Sequence, residues 1–63
     1  MLSLDKLKKA IDPVVFETMN QCKKLDLQQW LKDVTSEIDR IGNKTDRAYM
    51  LNCEKQYISY LLS

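Results

Sequence analysis

Two cysteines, three tyrosines, one tryptophan and nine carboxylates are the groups in this chain able to react or recognise, and no histidine accompanies them. Without histidine there is no Ser–His or Cys–His pair, and the usual general base near neutral pH is missing. Asp33, Glu37, Asp39 and Asp46 offer carboxylates for acid–base work. Asp33 and Glu37, however, stand four residues apart on the outer face of a helical segment, beside lysine and arginine positions. A solvated charged face accounts for them better than a catalytic pair. A single glycine, Gly42, excludes a glycine-rich phosphate loop. Cys22 and Cys53 are isolated and have no histidine to share a zinc ion. The expectation is a chain that is not an enzyme, with no catalytic residue, no cofactor and no metal.

Recognition is better supplied. Tyr49, Tyr57 and Tyr60 crowd one helical stretch, and tyrosine brings a large apolar area with one polar tip, which suits an interface. At about 100° per residue these three, with Met50, Leu51, Cys53, Ile58, Leu61 and Leu62, sweep an arc of roughly 220°. An ordinary surface helix buries a stripe nearer 100° wide. Such a helix packs on two sides, and a small chain is expected to lack one of the two partners. Tyr49, Met50, Cys53, Tyr57, Tyr60 and Leu61 are therefore the expected interface. Trp30 is either a further anchor in it or, as the favoured reading, an internal packing residue.

Stepping outward to the elements, every punctuation mark reads as a helix terminus. Ser3 can cap a short first helix, in which Leu4, Leu7 and Ile11 recur at three and four residues. Asp12-Pro13 reads as an N-cap followed by proline at the first helical position, so the chain breaks or kinks there. Val15, Phe16, Met19 and Cys22 then share a face, with Lys23 and Lys24 in the last turn, where cations suit the helix dipole. Asp26 reads as the next N-cap, with Gln29 completing a capping box and Leu25 stapled onto Trp30. Leu27, Leu31, Val34, Ile38 and Ile41 alternate spacings of four and three, a coiled-coil-like seam. Gly42 ends that helix and Thr45 caps the last one.

The expected fold is all-α. An antiparallel helical hairpin follows one or two short helices in a single domain, 1–63, with helices over about 3–11, 13–24, 27–41 and 46–62, and assembles as a dimeric helical bundle. Leu27, Leu31, Val34, Ile38, Leu51 and Ile58 form its intrachain core. Sixty-three residues bury only about 60% of the unfolded surface, which makes a monomer marginal. With no disulfide framework and no metal, oligomerisation is the remaining stabiliser.

Charge narrows the partners. Ten basic residues against nine acidic ones, interspersed, leave a net charge of +1. That balance argues against a polyelectrolyte footprint for nucleic acid or an anionic membrane. Lys6, Lys8, Lys9, Lys23, Lys24, Arg40, Lys44 and Arg47 can form basic patches, but Asp5, Asp12, Asp39 and Asp46 interleave with them. DNA binding is the alternative reading and not the favoured one. The apolar runs are far too short to span a membrane, and no secretory signal pattern is present. Reduced thiols in a cytoplasmic protein are expected.

The stretch Ile38 to Ser63, IDRIGNKTDRAYMLNCEKQYISYLLS, resembles small helical accessory proteins of lambdoid bacteriophages, those encoded between the recombination and excision genes. The resemblance rests on texture and length and carries over no site residue. It implies an early phage protein, in the host cytoplasm, that modulates the host or phage development through protein contacts. The favoured expectation is thus a non-enzymatic regulatory protein that binds itself as a homodimer and binds a host protein. The alternative is a small dimeric DNA-binding transcriptional regulator.

Overall fold

In the computed structural model, which describes residues 3–63, Ser3 opens the first helix. Its hydroxyl accepts from the Lys6 amide, and α1 runs over Leu4–Ala10. Ile11 and Asp12 are extended, so the chain breaks rather than kinks. The Asp12 carboxylate accepts from the Val14 amide at 2.9 Å, and Pro13 is the first residue of α2, Pro13–Gln21. The longest helix, α3, spans Lys24–Ile41. Gly42 stops it with φ +81°, a left-handed value that other residues adopt at a cost, and donates its N–H to the Ile38 carbonyl at 2.8 Å. Thr45 caps α4, Asp46–Leu62, by accepting from the Ala48 amide at 3.0 Å.

Two expected boundaries need correction. Cys22 and Lys23 are extended, so α2 ends at Gln21 and neither Lys23 nor Lys24 lies in its last turn. Lys24 instead begins α3, three residues before the expected start, with Lys23 as an N-cap that makes no side-chain bond. Asp26 is therefore inside the first turn, where the dipole still favours it, and is not the cap. The staple fails with it. Leu25 and Trp30 lie five residues apart within one helix, about 140° round its axis, and Leu25 is 78% exposed.

The hairpin forms as expected. One groove is lined by Glu37 with Arg47, Val34 with Leu51, and Trp30 with Glu54, so α3 and α4 run antiparallel. Leu27, Val34 and Ile38 of α3 are buried with Leu51 and Ile58 of α4, and Leu31 and Ile41 pack partly buried against them.

The short helices overturn the argument for a missing partner. Leu7, Ile11 and Met19 are buried in the same core as Cys53 and Tyr57. The Phe16 ring stacks on Tyr57 with centroids 4.6 Å apart, and the Tyr57 hydroxyl donates to Asn20 Oδ1 at 2.5 Å. On the helical wheel Leu51 and Ile58 face one side of α4, while Cys53 and Tyr57 face another about 100–160° away. The chain itself therefore covers both sides, α3 from one and α1 with α2 from the other. The radius of gyration, 11.0 Å, is close to the roughly 10.6 Å that a closed domain of this length adopts. This fold closes around α4 without a second copy.

Ile58 is wholly buried, so Ile58→Ala should destabilise the fold by about 2–5 kcal/mol. Tyr57→Phe keeps the ring stack and removes only the hydroxyl, and should cost about 1 kcal/mol. Urea melts followed by circular dichroism check both and their order.

Candidate functional site

A concavity of about 550 Å³ is the groove that α3 and α4 form along one flank of the hairpin. Its floor is apolar: buried Val34 and Leu51 with half-buried Trp30. On the α3 edge Asp26, Gln29, Asp33 and Glu37 recur at three and four residues, the spacing that puts them in one row. Glu54 and Arg47, seven apart on α4, form the other edge. Four carboxylates and one guanidinium therefore surround an indole.

Those carboxylates are not equivalent. Arg40 holds Glu37 through a two-pronged contact from Nε and Nη2, and Arg47 approaches the same carboxylate at 3.8 Å. Hydrogen bonding by Arg40 keeps Glu37 below its ordinary pKa, with the charges of Arg40 and Arg47 adding to the effect against desolvation. Asp33 accepts from Gln29 at 3.1 Å. Glu54 is shifted the other way: partial burial raises its pKa, while the Trp30 side chain and the Arg47 charge pull it back. Among the described residues, Glu37 is the only carboxylate in an ion pair within 4.0 Å. Asp26, Asp33 and Glu54 have no cation among the described residues within that distance.

The expected interface residues do not form one patch. Cys53 and Tyr57 are 1% and 4% exposed, spent on the intrachain core and unable to serve as surface. Leu61 and Trp30 are half-buried, Leu61 packing at the end of the bundle with Met19, Leu27 and Leu62. Tyr49, Met50 and Tyr60 are 57%, 44% and 51% exposed. On the wheel Tyr49 and Tyr60 share a face, and Met50 lies about 80–100° away on the flank that also carries Arg47 and Glu54. Tyr60 continues the stack begun by Phe16, its ring 6.0 Å from that of Tyr57.

Sequence reasoning missed the groove residues Asp26, Gln29, Leu51, Glu54 and Arg47 as a site. The three-and-four spacing from Asp26 to Glu37 was the available signal, and it reads equally well as a solvated face. Of the basic residues, Arg40 and Arg47 are committed to Glu37, and Lys8 sits 6.0 Å over the Phe16 ring. No group of three or more His, Cys, Asp or Glu side chains among the described residues is placed to hold a metal. No helix among them is long and apolar enough to cross a membrane.

No family model matches the chain, and no curated protein or solved structure gives a significant match. The function must therefore be read from the site.

Two outcomes follow from these environments. A carboxyl with a higher pKa in the fold binds its proton more tightly there, so Glu54 contributes instability that grows as pH rises from the ordinary carboxylate value through the raised one. Glu54→Gln should be more stable than the parent at neutral pH, and the gap should close once acid protonates the parent; melts at both extremes test the sign. Burial also pushes the Cys53 thiol up, opposed by Tyr49, whereas Cys22 is only half-buried. Ellman's reagent should find one thiol that reacts in the native protein and one that waits for unfolding.

Proposed function

We propose that this chain is a non-enzymatic protein-binding module whose docking surface is the α3–α4 groove. The observation that carries the reading is the pairing of an apolar floor with a polar rim along the two longest helices. Half-buried tryptophan in a concave apolar site is the usual composition of a binding hot spot. The groove follows α3 from Asp26 to Glu37, twelve residues, or about 16 Å of helix from first to last, which matches three turns of a partner helix. Two cysteines without a disulfide suit a reducing compartment, so we place the module in the cytoplasm. The likeness to phage accessory proteins suggests regulation of a host protein, and the docking proposal does not depend on it.

Self-association is the second reading, now carried by Tyr49 and Tyr60 alone, two half-exposed rings on one face of α4. It calls for a solution mass that doubles with concentration and reverts in Tyr49→Ser with Tyr60→Ser. DNA binding loses ground, because the groove is acidic and both flanking arginines are held by Glu37.

Trp30 is the sole tryptophan, so its fluorescence reports the groove directly. Peptides selected from a random display library against the folded chain should shift Trp30 emission. Gln29→Trp, which fills the groove from its exposed edge, should weaken their binding at least about tenfold by isothermal titration calorimetry, as loss of one hot-spot contact does. Selected peptides that bind without moving Trp30 and tolerate Gln29→Trp would remove the groove from the reading.

A further inference from the structure

The occupant of the groove has a chemistry that its rim defines, and this inference rests on the protein-binding reading above. From the two edges and the floor, we infer that the groove takes a helical segment of another protein that presents arginine or lysine over Trp30, between Glu54 on α4 and Asp33 on α3.

Three observations converge on it. The floor of Trp30, Val34 and Leu51 is apolar and calls for the aliphatic stem or neighbouring leucines of an amphipathic helix. The half-buried indole lines the groove beside the rim carboxylates, and a cation over an indole ring is attracted by the ring quadrupole. The rim is negative even with both arginines counted: the four carboxylates Asp26, Asp33, Glu37 and Glu54 stand against only two guanidiniums, Arg47 on the rim and Arg40 on Glu37. Asp26 and Asp33 are seven residues apart on α3, or about 10 Å along the axis, so cations at i and i+7 of a docked helix can meet both. A neutral apolar helix would bury Asp33 and Glu54 further with only Gln29 and Trp30 as hydrogen-bond donors to compensate them, and an acidic one, or a nucleic acid, would be repelled. The rim thus selects a basic partner by excluding the others.

The probe is a synthetic amphipathic helix with leucines on one face and arginines at i, i+3 and i+7, followed by Trp30 emission. Its citrulline counterpart has the same shape and no charge. The arginine peptide should bind and weaken with added salt. The citrulline peptide should bind on the order of tenfold more weakly, as expected for loss of a hydrogen bond to a charged group. Asp33→Asn with Glu54→Gln should erase the difference between the two peptides while leaving the circular dichroism spectrum unchanged. If each variant is also made singly, a loss of folding in one leaves the other to decide. Equal binding of arginine and citrulline peptides would overturn the cationic occupant and leave the docking groove intact. If neither peptide, nor any from the display library, moved Trp30, both readings would fall together. A groove already filled by a second copy, seen as a dimer that Gln29→Trp dissociates, would also overturn the inference.

Discussion

The structure depends on α4 being buried from two directions at once. Leu51 and Ile58 turn one side of it to α3, and Cys53 and Tyr57 turn another to the short helices. A chain of this length has little apolar material to spare, and concentrating it on one central helix lets two thin layers share a single core. Ile58 and Met19 have no exposure at all, which is uncommon in so small a domain and follows from that central position. The aromatic pair of Phe16 and Tyr57, tied by the bond from Tyr57 to Asn20, fastens α2 to α4 across thirty-seven residues of sequence. Removing α1 and α2 would therefore uncover half the core, and the hairpin alone would resemble the incomplete unit that the sequence suggests.

Most of the local architecture was legible in the residues. Ser3, Asp12-Pro13, Gly42 and Thr45 act within four residues of themselves, and each does in the fold what its chemistry implies. The seam from Leu27 to Ile41 was equally plain, since a three-four spacing admits only one helical face. Asp26 misled because aspartate is favourable both at an N-cap and within the first turn. Only the conformation of Cys22 and Lys23 distinguishes the two, and neither residue announces a turn. The wide apolar arc of α4 is plain in the sequence, whereas the source of its second layer is not. Whether a second layer comes from another chain or from a break at Asp12 is a tertiary fact, invisible to periodicity. The groove was hidden for the same reason: Trp30 and Glu54 meet only once the register of the hairpin is set.

Charge shows the same contrast between order along the chain and order in space. Basic and acidic residues alternate closely enough in sequence to look like a neutral solvated surface. Folding separates them. Glu37 gathers Arg40 from its own helix and Arg47 from the next, an exposed cluster worth little to stability. Its effect is on the field: Glu37 offsets one of the two arginine charges nearest the groove, and the four carboxylates of the groove outnumber the two arginines and set its sign. Under the docking proposal such a rim would act at the range of a Debye length, near 8 Å at physiological salt, and steer a basic partner before the apolar floor is reached.

Because α4 is covered on two sides, the surface left for recognition is limited by geometry. Tyr49 and Tyr60 occupy an exposed strip of α4 at the outer end of the aromatic stack. The strip carrying Arg47, Met50 and Glu54 lies beside α3, where the two long helices create a hollow. Both walls of that hollow belong to the hairpin, whose inner faces form the core, so its shape is held as firmly as the fold itself. The partial burial of Glu54 shows the corresponding tension. A carboxylate that burial disfavours would be better replaced if packing alone governed the site. Its charge becomes favourable when a cation enters the groove and supplies the compensation that Trp30 and Arg47 provide only in part. Binding would then relieve a penalty the free fold carries, which gives the bound state an advantage that contact area alone does not supply.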